Sequence, residues 1–425
     1  MLFSSVIFLW IFLPVVLVGN FILSRMKFQS GERRIRAKNG FLLTASLVFY
    51  AWGGIYYLFI MLFSIGINFI GGRAIGMPGR EAGAKKRILL LTISLNLGML
   101  FYFKYFNMLL TAVEALLQSE KGAGSVLHAM LGMERTGATG IADVVLPIGI
   151  SFFTFQAMSY VLDVYRGKTP VQESLPAFAL YVALFPQLIA GPIVQYNDVA
   201  EQLGNRRETL GLFSSGQKRF CYGLAKKVLI ANTLAEVADQ VWALETGKLG
   251  ASVAWLGMVS YTLQIYYDFS GYSDMAIGIG RMFGFRFKEN FRYPYTSLSV
   301  REFWRRWHIS LSAWFREYVY IPLGGSRDGT LRTCRNLFIV FLLTGIWHGA
   351  NFTFWSWGLY YAVFMIVERL FLGRWLDKNR IRPLNWMYTM FVVMVGWVYF
   401  RSDNIWVANA FVGQLFRFGA GEYSV

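Results

Sequence analysis

The chain opens, after Met1, with an apolar run over residues 2–23, LFSSVIFLWIFLPVVLVGNFIL. At about 1.5 Å per residue, a helix of this length crosses the roughly 30 Å of hydrocarbon in a bilayer. No Lys or Arg precedes the run and no small-residue cleavage signal ends it. We therefore expect a retained membrane anchor and not a removable signal peptide.

The composition extends this prediction to the whole chain. Of its 425 residues, 56% are hydrophobic and only 15% are charged, and the mean hydropathy is +0.43. Soluble domains have about 45–50% apolar and about 25% charged residues, and disordered chains lack apolar and aromatic residues. We therefore expect an all-α, polytopic integral membrane protein in which residues 1–425 form a single membrane-embedded domain.

The net charge of +17 does not indicate a nucleic-acid binder, because the basic residues fall between apolar segments and not on one soluble face. Positive residues gather in cytoplasmic loops, so the charge can be interpreted as topology. Residues 25–38 form a basic cluster directly after the first apolar run. This places the N-terminus outside and residues 25–38 inside.

Further apolar segments alternate with charged ones along the chain. An outer loop is predicted at 111–143, where acidic residues outnumber basic ones and where His128 is interpreted as inert. The last apolar piece, 405–418, is short. The predicted crossings are 88–110, 144–164, 228–242, 252–280 and 384–400, with helical hairpins at 41–72, broken at 51–54, and at 336–367.

The apolar segment 176–194 has basic residues on both flanks and contains Pro186 and Pro192. Two inner flanks and two prolines predict a re-entrant segment that dips into the membrane and returns. Irregular backbone at that depth is tolerated only where protein or a water-filled cavity covers it. We therefore expect a polar molecule to enter this protein.

His348 is the first candidate for chemistry. Counted from Asn336 at the inner face, it lies about 18 Å up a helix, near mid-membrane. Ionisable residues at that depth are costly and mark functional sites, and a neutral imidazole can act as a general base toward a hydroxyl. A histidine that only hydrogen-bonds a neighbouring helix is the structural alternative. Trp347 and Asn351, in the same segment, are candidates for lining the cavity.

His308 is the second candidate. At helical spacing it shares a face with Arg301, Arg305, Ser312 and Arg316, which predicts one amphipathic helix at the inner surface, ended by Pro322. A basic face against lipid headgroups explains the pattern equally well. On the functional interpretation, this face receives an anionic cosubstrate and His308 is a second polar group of the reaction chamber.

A third candidate cluster follows an apolar crossing at residues 266–274, YYDFSGYSD. Its carboxylates should face a cavity or pair with arginines, and a structural ion pair is the favoured role. Two distant cysteines and three histidines leave little for a metal cluster, and none is predicted. The cavity-lining candidates of this cluster are Asp268, Ser270, Tyr272 and Asp274.

The motifs around both histidines resemble the membrane-bound O-acyltransferases, in the branch that O-acetylates bacterial exopolysaccharide or peptidoglycan. The likeness is carried by FWRRWHIS at 303–310 and by the Trp-His-Gly tripeptide at 347–349, and it extends over roughly residues 40–400. It implies that His348 matches the key histidine of the family and His308 the second histidine of its motif. It also implies a ring of helices around a central tunnel, and relatives that continue past residue 425 with further apolar sequence, so that the C-terminus is a shortened end.

This resemblance implies a multi-pass protein of the bacterial inner membrane that takes an acetyl group from a cytoplasmic thioester. The cosubstrate would be acetyl-CoA or a similar thioester, and no cofactor would be tightly bound. The phosphates of this cosubstrate would be held by three arginines, Arg301, Arg305 and Arg306, because the guanidinium group matches phosphate geometry. The acceptor would be an extracytoplasmic polysaccharide, reached through a hydrolase-like extracytoplasmic acetyltransferase partner. Two alternatives stay open: D-alanyl transfer from a carrier-protein thioester to teichoic acid, and a transporter or channel, although no internal repeat is visible.

Overall fold

The computed structural model describes residues 1–118, 141–378, 381–418 and 421–423, and within these ranges it contains helices but no β-strand. The predicted all-α class is therefore confirmed. In chain order the α-helices are α1 Leu13–Arg25, α2 Gly31–Ala51, α3 Ile55–Gly76, α4 Ala82–Gln118, α5 Ile150–Tyr165, α6 Leu175–Ala183, α7 Phe185–Leu188, α8 Tyr196–Gly204, α9 Leu210–Ala225, α10 Asn232–Ala243, α11 Ala251–Met282, α12 Val300–Arg306, α13 Ile309–Phe315, α14 Thr330–His348, α15 Phe352–Val367, α16 Gly373–Lys378, α17 Arg382–Arg401 and α18 Ile405–Gln414.

Several of these helices have the length and apolarity of membrane spans. In the described part of the chain, length and hydropathy alone identify three such segments, Phe8–Arg25, Ile55–Gly76 and Ala82–Leu116. The first contains most of the predicted anchor, together with a π-helical turn at Phe8–Phe12 that leads into α1. These segments support a membrane protein, while the direction in which each one crosses stays a prediction.

Helix α2 and helix α3 form the predicted hairpin, and residues 52–54 separate them. Gly54 has φ +141°, a conformation that only glycine adopts without strain, so the break falls where the sequence places its glycines. Helix α14 and helix α15 form the second predicted hairpin, broken at residues 349–351. Both hairpin predictions are confirmed.

Helix α4 is longer than the predicted crossing at 88–110, because it runs from Ala82 to Gln118. Residues 111–118 are TAVEALLQ, in which good helix formers outnumber the β-branched pair. This end of the predicted outer loop is therefore helical, and the prediction of a loop there is wrong. The remainder of that loop between residues 119 and 140, with His128, lies outside the described residues.

The segment 176–194 is irregular, as its prolines predict. Helix α6 ends at Ala183, the short helix α7 begins at Phe185, and an irregular stretch follows Leu188. Pro186 lies in the first turn of α7, where a missing N–H has no helical partner to lose. The re-entrant path that we predict for this segment stays a prediction.

The chain divides into two compact units. Unit one contains residues 1–100, 146–228 and 269–290, and unit two contains the described residues of 101–145, 229–268 and 291–425. Helix α4 and helix α11 each pass from one unit into the other along the chain.

In unit one, helix α9 packs against the C-terminal part of α11 with almost no side chain between the two backbones. A Cβ added to Gly223 would lie 2.5 Å from the carbonyl oxygen of Gly271, and one added to Gly271 would lie 2.8 Å from that of Gly223. Gly216 and Gly278 repeat the arrangement, with corresponding distances of 2.5 and 2.6 Å. Small residues at such contacts let two membrane helices approach closely.

In unit two, aromatic rings form a core between α12, α15 and α17. Trp304 contacts Tyr361 with ring centroids 4.9 Å apart, and Trp307 contacts Trp397 at 4.7 Å. Trp357, Tyr361 and Trp397 are almost completely buried. Large rings with a single polar atom fill this volume and fix helix α12 against its neighbours.

Candidate active site

His348 is the last residue of α14, and the helix ends there because of the sequence that follows it. Gly349 leaves the helical conformation, and its N–H donates to the Ile346 carbonyl at 3.1 Å. Asn351 then caps α15 by accepting a hydrogen bond from the Thr353 N–H at 3.0 Å. The imidazole therefore projects from a helix end, beside a backbone turn of fixed geometry.

Close packing of α14 on α15 brings His348 against aromatic side chains. A Cβ added to Gly358 would lie 2.5 Å from the Phe341 carbonyl oxygen, so the two helices touch through their backbones. The His348 ring lies 5.0 Å from the rings of Trp357 and Phe400 and 6.1 Å from Phe354, centroid to centroid. The histidine is half-buried, and no residue of the described chain hydrogen-bonds its imidazole. Its ring nitrogens are available to a substrate.

His308 lies between α12 and α13 and has φ +44°, in the left-handed region. A β-carbon makes this conformation unfavourable, and residues held in it cluster at functional sites. The prediction of one amphipathic helix through His308 is therefore wrong: α12 ends at Arg306 and α13 begins at Ile309. His308 is 3% exposed, so it does not lie on a solvated surface.

The two histidine motifs meet at Trp347. Its ring centroid is 4.8 Å from that of His348 and 6.4 Å from that of His308. All three residues belong to unit two. The structure thus brings together residues that the sequence separates by forty positions.

Unit two also contains a cavity of about 300 Å³, and neither His308 nor His348 is among the residues that line it. Arg301 and Arg305 line it, together with Arg316 and apolar residues that include Trp304 and Phe341. Arg305 is exposed, whereas Arg301 also pairs with Asp377 at 3.3 Å. A basic rim over an apolar wall suits a ligand with an anionic part and an apolar part.

Arg306 does not line this cavity. It donates to the Glu302 carboxylate at 2.6 Å and approaches Thr296 Oγ1 at 3.3 Å. The pair with Glu302 lies within α12, and the contact with Thr296 joins the end of α12 to the segment before it. Arg316, on the π-helical turn that follows α13, lines the cavity, whereas Arg306, a predicted cosubstrate-binding residue, does not.

Glu368 supports the helix that carries these arginines. Its carboxylate, buried at 3% exposure just after α15, accepts from the N–H of Val300 at 2.7 Å and of Arg301 at 2.9 Å. Ser299 caps the same helix by accepting from Glu302 N–H at 3.1 Å. Burial raises the pKa of the Glu368 carboxyl, while the two amide hydrogen bonds lower it.

We expect Glu368→Ala to lower the melting temperature of the purified protein in detergent. The substitution leaves two amides of α12 without their acceptor, at about 1–3 kcal/mol for each buried group. The control is Glu245→Ala, since Glu245 has a 65% exposed side chain and only a surface pair with Lys248. Equal melting temperatures for the two variants would show that Glu368 does not support α12.

The third cluster is divided between the units. Asp268 belongs to unit two, whereas Ser270, Tyr272 and Asp274 belong to unit one. Asp274 accepts from Arg219 Nε at 2.7 Å and from Lys226 Nζ at 2.6 Å, which agrees with the structural role favoured for it. Ser270 is buried and Tyr272 is half-buried, and the Tyr272 ring stacks on Phe3 with centroids 4.6 Å apart.

Sequence reasoning missed two residues next to the site, Lys104 and Tyr105 of α4. Lys104 Nζ donates to the carbonyl of Trp347, and Tyr105 Oη donates to the carbonyl of Ile346. A signal for Lys104 was present, because a cation within the apolar segment 88–110 is unusual. For Glu368 there was no such signal. No sequence pattern links it to its partners, Arg301 and Val300, which lie 67 and 68 positions earlier.

Comparison with known proteins places this arrangement in a family. The model of the membrane-bound O-acyltransferase family matches residues 168–407, which include both histidines and the arginines of the cavity. The chain is 46% identical, over 100% of its length, to the probable alginate O-acetylase of Pseudomonas putida, and it covers 82% of that protein. It is 36% identical, over 95% of its length, to the peptidoglycan O-acetyltransferase of Helicobacter pylori, with 78% of that protein covered. A more distant relative is the teichoic acid D-alanyltransferase of Bacillus subtilis, 27% identical over 58% of this chain and 65% of its own length.

The family model and the first two of these relatives confirm the resemblance to the membrane-bound O-acyltransferases that the sequence motifs indicate. The apolar helices, the two histidine rings near Trp347 and the cavity lined by arginines fit this family as well. The chain therefore belongs to the membrane-bound O-acyltransferase family and is an O-acyltransferase.

Proposed function

We propose that this enzyme passes an acetyl group from a cytoplasmic thioester, acetyl-CoA, through the membrane for O-acetylation of an extracytoplasmic polysaccharide or peptidoglycan. The observation that carries the proposal is the meeting of His348 and His308 at Trp347. The names of the relatives, an alginate O-acetylase and a peptidoglycan O-acetyltransferase, support this acceptor class.

In this mechanism His348 is the general base. A ring nitrogen takes the proton of the acceptor hydroxyl as the hydroxyl oxygen bonds to the thioester carbonyl carbon. The carbon–sulfur bond then breaks, and the proton passes from His348 to the departing thiolate, so that CoA leaves as a thiol. Availability of the imidazole nitrogens and a partly apolar surround support this role. His308 is the second polar group of the reaction chamber.

On the donor side, Arg301 and Arg305 hold the phosphates of CoA at the rim of the cavity. Arg316 also lines the cavity, and its positive charge contributes to binding the same phosphates. The Trp304 indole N–H is buried, and no hydrogen-bond acceptor contacts it among the described residues. It is available to a polar atom of the donor, while the apolar wall accommodates the less polar part of the molecule.

We expect Arg305→Ala to raise the KM for acetyl-CoA about tenfold, with kcat within about twofold of the wild type. A hydrogen bond between charged groups is worth about 1.5–3 kcal/mol, and 1.4 kcal/mol is tenfold in affinity. The lower end applies here because Arg305 is exposed to solvent. Arg332→Ala is the control, because Arg332 has a 64% exposed side chain and does not line the cavity. The same small change of KM in both variants would remove the arginine rim from donor binding.

The acceptor side of the proposal rests on topology. We place the protein in the bacterial inner membrane as a multi-pass protein with its N-terminus outside, so that hydroxyls approach from the outer face. A hydrolase-like acetyltransferase outside the membrane completes the transfer to the polysaccharide. The acetyl group thus reaches a compartment that acetyl-CoA does not enter.

A second candidate function is D-alanyl transfer to teichoic acid from a carrier-protein thioester. The similarity to the Bacillus subtilis teichoic acid D-alanyltransferase favours it, although that similarity covers 58% of the chain. The two functions differ in the donor: a free CoA thioester or a thioester carried by a protein. The arginine rim suits either phosphorylated donor.

The experiment that separates them presents each donor to the purified protein in proteoliposomes. One set receives acetyl-labelled CoA and the other a D-alanyl-labelled carrier protein, and the release of free thiol and the transfer of label are followed. We expect acetyl-CoA to be the donor that supports both. Activity with the carrier protein alone would overturn the acetyl-transfer proposal in favour of the second function.

A further inference from the structure

Lys104 is an ionisable side chain inside a helix that has the length and apolarity of a membrane span. Its neighbours in the chain are aromatic, in the sequence FYFKYF at 101–106. A cation in such a segment is costly and is retained where it has a specific partner. In the described part of the chain no carboxylate forms an ion pair with Lys104, so the partner is of another kind.

The partner is Trp347, which Lys104 contacts in two ways. The ammonium donates a hydrogen bond to the Trp347 carbonyl, and Nζ also lies 5.1 Å from the centroid of the Trp347 ring. The first contact satisfies a carbonyl that the end of α14 leaves without a helical donor. The second is a cation–π contact, which gains strength away from water.

These two contacts act on the atoms that place His348. The Trp347 carbonyl belongs to the peptide bond that joins Trp347 to His348, so a donor on its oxygen fixes the plane of that peptide. The Trp347 ring contacts both the His348 and the His308 rings. One side chain on α4 thereby restrains the backbone next to the general base and the ring between the two histidines.

Electrostatics favour a lysine at this position. The carbonyl end of a helix carries partial negative charge, which a cation stabilises. Tyr105 ties the neighbouring carbonyl of Ile346 to the same helix α4, but it donates a neutral hydrogen bond and has no ring contact with Trp347. Only Lys104 of this pair contacts both the backbone and the ring of Trp347.

We propose that Lys104 is a positioning residue that holds Trp347 and His348 in the arrangement needed for acyl transfer. The effect on the reaction rate rests on the proposed role of His348 as the general base. Lys104 itself does not touch the substrate in this proposal. Its removal leaves the imidazole present but less well aimed.

The test compares Lys104→Met, Lys104→Arg and Tyr105→Phe in the full chain. Methionine has nearly the length of lysine without its charge, and its flexible side chain fills irregular apolar space. Arginine restores a cation that reaches a carbonyl and an aromatic ring. Tyr105→Phe removes the hydrogen bond to the Ile346 carbonyl at the end of α14 and keeps the aromatic ring.

The first readout is steady-state acetyl transfer. We expect Lys104→Met to lower kcat about tenfold to a hundredfold, since a small misplacement of a catalytic group has effects of that size. The KM for acetyl-CoA stays within about twofold, because the arginine rim is unchanged. Lys104→Arg recovers most of kcat, and Tyr105→Phe has the smaller effect. A wild-type kcat in Lys104→Met would overturn the proposal.

The second readout does not need activity. Diethylpyrocarbonate modifies free imidazole nitrogens, and mass spectrometry of the His348 peptide gives its rate of modification. We expect that rate to change at least about threefold in Lys104→Met, with the wild-type rate regained in Lys104→Arg, because a looser Trp347 changes access to the neighbouring ring. His308 is 3% exposed and reports unfolding, so its rate stays at the wild-type value.

The two readouts distinguish failure of the positioning role of Lys104 from failure of the proposed acetyl-CoA donor. An unchanged His348 modification rate in Lys104→Met overturns the positioning role, whatever the activity. A changed rate in a protein whose wild type does not use acetyl-CoA supports the positioning role and rejects the proposed donor. A parallel rise in modification of His308 shows that Lys104 is needed for the fold as a whole, which also overturns the specific role.

Discussion

His348→Ala should reduce acetyl transfer by about 10²–10⁴-fold, because general-base catalysis contributes a factor of that size. The substitution removes the only imidazole that lies half-buried among the rings of Trp347, Trp357 and Phe400 in the described chain. The measurement is release of free CoA and transfer of label from acetyl-CoA in proteoliposomes. The KM for acetyl-CoA should change little, since the arginines of the cavity remain.

Two controls accompany this prediction. His128→Ala should retain full activity, since we predict no role for that residue. His348→Gln keeps a side chain of similar size beside the aromatic rings and should be as inactive as the alanine variant. Full transfer by either His348 variant would remove this residue from the mechanism and leave His308 as the remaining candidate base.

Gly271→Ala should prevent normal assembly of unit one. The new methyl group would meet the carbonyl oxygen of Gly223 at 2.8 Å, and a backbone atom cannot rotate away as a side chain can. Overpacking costs about 1–3 kcal/mol where side chains can adjust, and more where backbones must separate. We expect a large loss of monodisperse protein after detergent extraction and a lower melting temperature for what remains.

The matched control is Gly211→Ala on helix α9, where an added Cβ meets nothing within 4 Å. Alanine there should be neutral or stabilising by about 0.5–1 kcal/mol, since glycine is the weaker helix former. The same yield and melting temperature for Gly271→Ala and Gly211→Ala would mean that α9 and α11 are not packed backbone to backbone.

The extent to which the sequence predicts the fold depends on whether a feature is local. Apolar length and glycine breaks are local, so the hairpins at 41–72 and 336–367 were predictable. The end of α4 is harder to predict, because the polar composition of 111–143 indicates a loop, whereas the residue types at 111–118 favour a helix. The boundary of a membrane helix depends on what surrounds it as well as on its own hydropathy.

The same distinction applies to the candidate site. The family resemblance carried by 303–310 and 347–349 implies two histidines of one site, and the rings of both lie near Trp347. The helical periodicity of 300–316 suggested one helix, because a pattern of side chains does not reveal that one residue adopts a left-handed backbone. Arg316, which the periodicity places on one face with Arg301 and Arg305, lines the cavity with them, whereas Arg306 does not.

The Glu368 carboxylate has a consequence for the order in which the protein is made. A ribosome delivers Val300 and Arg301 well before it reaches Glu368, and α14 and α15 must be synthesised in between. During that interval the first amides of α12 lack the acceptor that the finished protein provides, so this short helix gains these two hydrogen bonds only after α15 has been synthesised. The arginines it carries are fixed in place only when the chain beyond α15 has emerged and folded back onto them.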